Sequence, residues 1–327
     1  MISKLYRHIS VVAVMASICF TMQGQQQGAY SNFLLNNYYY NAAIAGSENV
    51  HVGNISYRNQ WASFEGAPVT FSGSFYGSYK NKGKVGYGAS IISDRIGLMQ
   101  NTGVYINYAQ HFQLNDKYKL GIGIQPGYVQ YRIRLYDAQL ADQGDAVLTG
   151  SVLSANAIDL NSGLHFYSSK MYVMLGMSNM LGKSVQFTSY NENLARHFNL
   201  IAGYKIQLKS QKKMMYEPSI MISSNTPVRK QATLLLRATY DSKFWGGLMY
   251  RSSDAIGIVV GINLQERLSV GYAYDYTLSN LGSYSNGSHE ISLRFITTTQ
   301  KPTLDEEDEE LNNSIMDEMK QQLKDKK

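Results

Sequence analysis

The side chains best suited to chemistry are six histidines, and their spacing forms no recognisable metal or catalytic site. They are His8, His51, His111, His165, His197 and His289. No two of them have the spacing that zinc ligands show on one element, and no segment carries a nucleophile, base and orienting residue in a known pattern. The sequence predicts no cofactor, no metal and no enzymatic activity. A lipase-like barrel enzyme, with its serine and histidine on different strands, stays an open alternative.

Two classes of ligand are disfavoured by composition and glycine spacing. The glycines of KVGYGAS (84–90) and LGIGIQPG (120–127) alternate within extended segments and lead into no helix, so these segments are not phosphate-binding loops. The net charge is +6 with a pI near 9.0, but the basic residues are scattered and form no nucleic-acid-binding motif. We therefore expect no nucleic-acid partner.

Three ionisable residues on the last two predicted strands, 267–277 and 288–296, share one face of those strands. They are Asp275, Glu290 and Arg294. We interpret them as a candidate charge cluster in a water-filled lumen. Buried ionisable groups are normally paired, so the cluster is either an internally satisfied network or a gate.

The elements that position these residues are β-strands. In RLSVGYAYDYT (267–277), every second residue is apolar, so one face is apolar and the other polar. The same alternation predicts about fourteen strands. They lie near 50–58, 68–80, 84–94, 102–114, 117–134, 157–168, 171–180, 196–208, 213–223, 230–241, 243–252, 255–264, 267–277 and 288–296. The apolar faces suit either the core of a soluble β-sandwich or the lipid around a barrel.

The N-terminus resembles an export signal, which favours the barrel. A basic start that includes Lys4 and Arg7 precedes Ile9–Phe20, an apolar run too short to span a bilayer as a helix. Residues 1–24 are therefore predicted to be a signal peptide. A lipoprotein anchored through Cys19, the one cysteine of the chain, is the alternative. Cleavage of the signal leaves no cysteine for a disulfide.

We predict an all-β fold, a transmembrane antiparallel β-barrel of the outer membrane. An even strand number returns both ends of the barrel to one side, tyrosine outnumbers phenylalanine 26 to 11, and connections predicted on the periplasmic side are short. The predicted parts are an N-terminal periplasmic segment (25–49), the barrel (50–297) and an acidic tail (298–327). Helical spacing in the tail makes it either a disordered solubilising segment or a helix that contacts a partner.

Two sets of residues are predicted to make contacts at the ends of the barrel. Trp61 lies in an outer loop that either packs on the barrel or binds a ligand. The candidate outer-loop contacts are Trp61, Phe64, Glu65, Gly66, Pro68, Asp94, Gly97 and Tyr284. The candidate periplasmic contacts are Lys80, Lys82, Lys84, Lys209, Lys212, Lys213, Met316, Met319 and Leu323.

Four segments resemble the PorP/SprF family of the type IX secretion and gliding apparatus of Bacteroidota. They are YSNFLLNNYYYNAAIAGS (30–47), YRNQWASFEGAPVTFSGS (57–74), GYGASIISDRIGLMQNTGVYINYAQH (86–111) and GYAYDYTLSNLGSYSNGSHEISLRF (271–295). Ala42 stands where the family usually has proline, and the acidic tail extends beyond the family pattern.

The resemblance implies a non-enzymatic barrel, since some relatives assist secretion or surface display of large adhesins. Others are linked to periplasmic secretion-ring or OmpA-like peptidoglycan-binding proteins. We therefore expect an outer-membrane anchor that contacts lipid, a secreted surface adhesin and periplasmic partners. A passive, porin-type solute channel is the alternative function.

Overall fold

The computed structural model describes residues 28–79, 84–134, 152–182, 184–186, 191–193, 195–208, 211, 213–225, 229–265 and 267–297. The predicted signal peptide and tail lie outside this range. The strands are β1 (His51–Asn59), β2 (Val69–Ser78), β3 (Val85–Ile96), β4 (Met99–Gln113), β5 (Lys119–Arg134), β6 (Val152–Tyr167), β7 (Met171–Ser178), β8 (Ser184–Gln186), β9 (Asn191–Asn193), β10 (His197–Tyr204), β11 (Ile206–Gln207), β12 (Met214–Asn225), β13 (Arg229–Tyr240), β14 (Phe244–Arg251), β15 (Ala255–Leu264), β16 (Leu268–Thr277) and β17 (Ser288–Ile296).

Within the described residues, fourteen of these strands form a closed antiparallel barrel, which confirms the predicted fold. Neighbours in sequence pair in order, β10 pairs with both β7 and β12, and β1 pairs with β17 to close the ring. The closing register runs from Val52 opposite Ile296 to Asn59 opposite His289. The short β11 continues β10 along β12, while β8 and β9 form a separate hairpin in the connection between β7 and β10.

The outer surface of the barrel is apolar, as alternation predicts. On β4, Val104 and Ile106 are 53% and 66% exposed, whereas Asn107 and Ala109 between the outward residues are buried. Such exposure of large aliphatic side chains suits lipid contact, because outer-membrane barrels present an apolar band to the bilayer. Among the described residues, no helix is long and apolar enough to cross a membrane.

The barrel begins and ends at the same end, where connections such as Ser168–Lys170 and Asp241–Lys243 are short. Because short turns of outer-membrane barrels lie in the periplasm, we call this the periplasmic end and the opposite end the outer end. The predicted strands 84–94 and 102–114 leave a connection of 95–101 at the outer end, and this connection is wrong. β3 and β4 continue through it and are joined by Gly97 and Leu98 alone, with Gly97 at a φ of +56°.

The described part of the predicted N-terminal periplasmic segment lies inside the barrel, which corrects that prediction. We call residues 28–50 the plug. It contains the four-residue helix α1 (Asn37–Tyr40) and a 3₁₀ turn (Ala42–Ile44) whose Ala43 N–H donates to Asn41 Oδ1 at 2.8 Å. Its buried apolar residues would be exposed to water in the periplasm. These are Tyr30, Phe33, Leu34, Leu35, Tyr38, Tyr40, Ala42, Ala43, Ile44, Ala45 and Val50.

Inward-facing glycines make room for the plug. A Cβ atom added to Gly123 of β5 would collide with the backbone of Ala42, and one added to Gly176 of β7 would collide with the carbonyl oxygen of Tyr40. The plug therefore contacts strands on several sides of the ring and occupies space that inward side chains of a fourteen-stranded barrel leave unfilled.

Candidate functional site

A buried ion network joins the plug to the outer half of the barrel. Arg58 is the residue at its centre, placed on the inward face of β1 by the alternation of that strand. Its Nη2 lies 2.8 Å from Asp275 Oδ2 of β16, and its Nη1 lies 3.2 Å from Glu290 Oε2 of β17. All three side chains are at most 2% exposed. Cation and carboxylates compensate one another's loss of hydration, which makes burial of these charges tolerable.

A second arginine extends the network along the barrel wall. Arg251, at the end of β14, lies 3.2 Å from Asp275 Oδ2 and 3.1 Å from Asp254 Oδ2. The network therefore places two guanidinium groups among three carboxylates. This excess of acceptors suits the donors that the plug supplies.

The plug supplies those donors from Ser31. The Ser31 N–H donates to Glu290 Oε2 at 2.7 Å, and the Ser31 hydroxyl donates to Asp275 Oδ2 at 2.5 Å. Both arginines donate in turn to the Ser31 hydroxyl oxygen, Arg58 at 2.7 Å and Arg251 at 3.1 Å. One small plug residue thus contacts four charged side chains on four different strands, so plug and barrel share one network.

An amide on the plug continues these contacts towards the periplasm. Asn36 Nδ2 donates to Glu290 Oε1 at 3.2 Å and to Ser292 Oγ at 3.2 Å. Ser56 Oγ donates to Asn36 Oδ1 at 2.5 Å, and Asn54 Nδ2 donates to the Leu35 carbonyl at 2.8 Å. These bonds follow the inward face of β1 and fix the position of α1 against it.

Of the three residues of the predicted charge cluster, the structure brings Asp275 and Glu290 together and places Arg294 apart from them. That arginine also faces inward, but it lies nearer the periplasmic end and its Nη2 contacts Glu48 Oε2 at 2.8 Å. Arg294 follows Glu290 by four residues, about 13 Å along an extended strand, which is too far for a shared contact. It holds the other end of the plug instead.

One histidine on the barrel wall also contacts the plug near its periplasmic end. His111 Nε2 lies 2.8 Å from the Ala45 carbonyl oxygen, and its Nδ1 lies 3.0 Å from the Tyr167 hydroxyl. His165 stacks on Tyr167 with ring centroids 4.3 Å apart. Within the described residues, no three His, Cys, Asp or Glu side chains are grouped to hold a metal ion.

Within the plug, a phenol replaces water as a hydrogen-bond partner for the backbone. The Tyr30 N–H donates to the Tyr40 hydroxyl oxygen at 2.7 Å. Burial raises the pKa of the Tyr40 phenol above its ordinary value, so the group stays neutral at physiological pH. The plug therefore adds no phenolate to the carboxylate-rich network.

A second interior ion pair joins β12 and β13. Arg237 Nη2 contacts Glu217 Oε2, and the Tyr172 hydroxyl donates to Glu217 Oε1 at 3.1 Å. The Arg237 guanidinium also lies 5.8 Å from the centre of the Trp245 ring. These residues belong to β7, β12, β13 and β14, and Tyr172 and Trp245 are part of the same buried hydrophobic cluster as plug residues such as Leu35.

The Trp61 loop packs on the last outer loop through its backbone. The Trp61 N–H donates to Ser288 Oγ at 3.0 Å, and the Ala62 N–H donates to the Gly287 carbonyl at 2.7 Å. The Asn286 N–H donates back to the Ala62 carbonyl at 2.8 Å. Trp61 adopts a positive φ of 52° and is half-buried. These observations support the packing interpretation for Trp61 itself.

Other predicted outer-loop residues are available at the surface. Phe64 is 43% exposed, Tyr284 is 72% exposed, and Glu65 and Gly66 are also exposed. The Gly66 carbonyl accepts a hydrogen bond from the Gly97 N–H at 2.9 Å, so the Trp61 loop contacts the β3–β4 turn.

Two of the predicted outer-loop contacts lie elsewhere or have a structural role. Asp94 lies on β3, within the predicted strand 84–94, and accepts a hydrogen bond from Thr70 Oγ1 at 2.7 Å. The carbonyl of Pro68 accepts the Gln60 N–H at 2.9 Å and closes the base of the Trp61 loop.

Of the predicted periplasmic contacts, Lys84 and Lys213 are described and both are exposed at the periplasmic end. The others lie outside the described residues: Lys80, Lys82, Lys209, Lys212, Met316, Met319 and Leu323.

Sequence reasoning missed Arg58, Arg251 and the plug residue Ser31. A usable signal existed for Arg58, because it continues the inward series Val52, Asn54 and Ser56 on β1. The register then places it directly opposite Glu290. No comparable signal existed for Ser31, which lies in a segment without regular alternation.

We found no match among curated proteins. Among solved structures, the chain is similar to the CymD monoaromatic hydrocarbon channel, with 11% identity, a TM-score of 0.49 and coverage of 85% of this chain and 95% of that chain. It is also similar to a Pseudomonas aeruginosa FadL homologue, with 8% identity, a TM-score of 0.46 and coverage of 78% and 92%.

A family model described as type IX secretion system membrane protein PorP/SprF matches residues 22–295. The match includes the whole plug and reaches Phe295, the penultimate residue of β17. The chain therefore belongs to the PorP/SprF family of type IX secretion system membrane proteins.

Proposed function

We propose that this outer-membrane barrel is a non-conducting anchor that helps to display a secreted adhesin and docks periplasmic partners of the secretion machine. The observation that carries the proposal is the plug. It fills the lumen along the barrel and is bonded to the wall at both ends, through Ser31 at the outer end and Glu48 at the periplasmic end.

The charged side chains around the plug are paired, while among the described residues the buried amide of Asn32 has no hydrogen-bond partner. A cavity of about 20 Å³ lies between Asn36, Tyr38, Asn54 and Gln125, which is room for about one water molecule. If the plug left the lumen, Asp275 and Glu290 would lose the hydrogen bonds that Ser31 and Asn36 donate to them. Passive solute flow is therefore a poorer fit to this interior than a rigid support is.

The outer end offers a fixed platform for a partner. Hydrogen bonds between the Trp61 loop and residues 286–288 hold two loops in one orientation, and Phe64 and Tyr284 project from them into solvent. Exposed aromatic side chains on a rigid support are typical anchors of protein interfaces. We assign adhesin contact to this platform and periplasmic contact to the opposite end, where Lys84 and Lys213 are exposed.

The proposal is tested by affinity purification of the tagged protein from its native membranes in mild detergent, with and without cross-linking, followed by mass spectrometry. We expect a large secreted protein or periplasmic secretion or peptidoglycan-binding proteins in near-stoichiometric amounts. Recovery of the barrel alone, even after cross-linking, would overturn the anchor function.

Conductance in planar bilayers separates the anchor from a channel. We expect the purified wild-type barrel to give no stable open level, because the plug occupies the lumen. A stable, large conductance in the wild type would instead favour a porin-type channel.

A further inference from the structure

The outward face of the barrel carries a basic row near its outer end. In the strand register, Arg95 of β3 lies opposite Gln100 of β4, and Gln100 lies opposite Arg132 of β5. Arg95 and Arg132 are exposed on the same side as the apolar residues of their strands. With strands about 4.8 Å apart, their Cα atoms are separated by about 10 Å, with an amide side chain between them.

The row lies just beyond the apolar band. Four residues nearer the membrane centre, the same strands present Ile91, Val104 and Tyr128, all exposed. Four residues span about 13 Å of strand, or about 10 Å along the membrane normal for a strand tilted by about 40°. The intervening row is polar: Ser93, Thr102 and Gln130. The guanidinium groups therefore lie at the level of lipid headgroups.

These two arginines differ from those inside the barrel. Arg58 and Arg251 are each paired with carboxylates, whereas in the described part of the chain no carboxylate forms an ion pair with Arg95 or Arg132. An anion from outside the chain is a suitable partner. The guanidinium group binds phosphate through two parallel N–H donors. The Gln100 amide nitrogen donates one hydrogen to Ser93 Oγ at 3.5 Å and has a second N–H to offer between the arginines.

A groove of about 670 Å³ adjoins the row. Its lining includes Phe64 and Leu98 as apolar surface and Arg95 and Arg134 as cations. Glu65 also lines the groove, and its carboxylate repels an anion at that edge. A phosphate is therefore favoured on the side of the groove towards Arg132, with its acyl chains against the apolar band below.

We propose that Arg95, Gln100 and Arg132 form a binding site for the phosphate of an anionic lipid headgroup in the outer leaflet. A lipid is favoured over a free anion because the row faces the bilayer and adjoins the apolar band. The proposal depends on the outer-membrane location and not on the adhesin partner, so a failure of one proposal would leave the other unaffected.

The test is native mass spectrometry of the purified full-length barrel in detergent, titrated with diphosphoryl lipid A, with lipid A lacking both phosphates, and with diphosphoryl lipid A plus inorganic phosphate. The variant is Arg95→Gln combined with Arg132→Gln, which removes charge from exposed side chains. Lys230→Gln is the matched control, since Lys230 is an exposed cation near the outer end of β13. Heat-dependent migration in gels verifies that each variant is folded.

We expect wild type and control to bind diphosphoryl lipid A alike, and the double variant to bind it at least about tenfold more weakly, as the loss of charge-assisted hydrogen bonds requires. Arg95→Lys with Arg132→Lys should restore part of the affinity, because charge returns without the two-pronged geometry. Equal binding by the double variant would overturn the site. Equal binding of phosphate-free lipid A, or full displacement by millimolar inorganic phosphate, would overturn its assignment to a lipid phosphate.

Discussion

Arg58 and Asp275 form a buried ion pair, with Nη2 and Oδ2 2.8 Å apart, between the strands on either side of the closing strand β17. The Ser31 hydroxyl of the plug hydrogen-bonds to both partners. This pair is therefore the point at which barrel closure and plug position are coupled.

Removing the cation of this pair should destabilise the barrel strongly. We expect Arg58→Gln to lower the free energy of unfolding by about 3–5 kcal/mol, because Asp275 and Glu290 would stay buried without their partner. Lys243→Gln is the control, since its pair with Asp241 is exposed and should contribute about 1 kcal/mol or less. Urea unfolding in lipid vesicles, followed by tryptophan fluorescence, measures both. Equal midpoints for the two variants would contradict a stabilising role for the buried network.

The strands could be predicted because the alternation of apolar and polar residues with a period of two depends only on residues close together in the sequence. The predicted strand 255–264 has the bounds of β15, and its outward residues Ile256 and Ile258 are exposed. The β3–β4 extension was missed because the usual pattern of apolar outward and polar inward residues fails there. The outward pair, Arg95 and Gln100, is polar, and the next pair, Ile96 and Met99, is apolar.

The plug could not be predicted from alternation, because its structure depends on contacts far away in sequence. Ser31 binds Asp275, 244 residues later. Arg294 illustrates a different limit. Alternation correctly predicts that Arg294 faces inward, but it does not give the residue's position along the barrel axis. That position is near the periplasmic end, so Arg294 pairs with Glu48 and not with the network around Glu290.

A single methyl group on the barrel wall should loosen the plug. In Gly123→Ala, the new Cβ would collide with the backbone of Ala42, so the plug must shift. We expect a loss of about 1–3 kcal/mol of stability, as overpacking usually costs, and intermittent conductance in planar bilayers. Gly53→Ala is the matched control, because its added Cβ meets no atom within 4 Å. Identical stability and conductance in both variants would show that close packing at Gly123 does not hold the plug.

The platform residues should affect partner binding more than folding. We expect Phe64→Ala with Tyr284→Ala to reduce retention of the secreted partner at the cell surface at least about tenfold, because truncated aromatic anchors typically cost 2 kcal/mol or more. The free energy of unfolding should change by about 0.5 kcal/mol or less, since both side chains are exposed. Surface labelling of the partner, together with urea unfolding of the variant, measures both effects. Normal surface display in the variant would remove adhesin contact from this platform.

The barrel should fold without residues 301–327. The closing pair of strands is complete at Ile296, and the Thr297 N–H donates to the His51 carbonyl at 3.0 Å, so ring closure precedes the tail. We expect deletion of 301–327 to leave the unfolding midpoint unchanged and to reduce recovery of periplasmic partners after cross-linking. Replacing Met316, Met319 and Leu323 by glutamine in the full chain is the matched variant, because it removes the apolar stripe and keeps the acidic run. Loss of partners in both variants would assign binding to the stripe, and loss in the deletion alone would assign it to charge. A destabilised barrel in the deletion would instead give the tail a structural role.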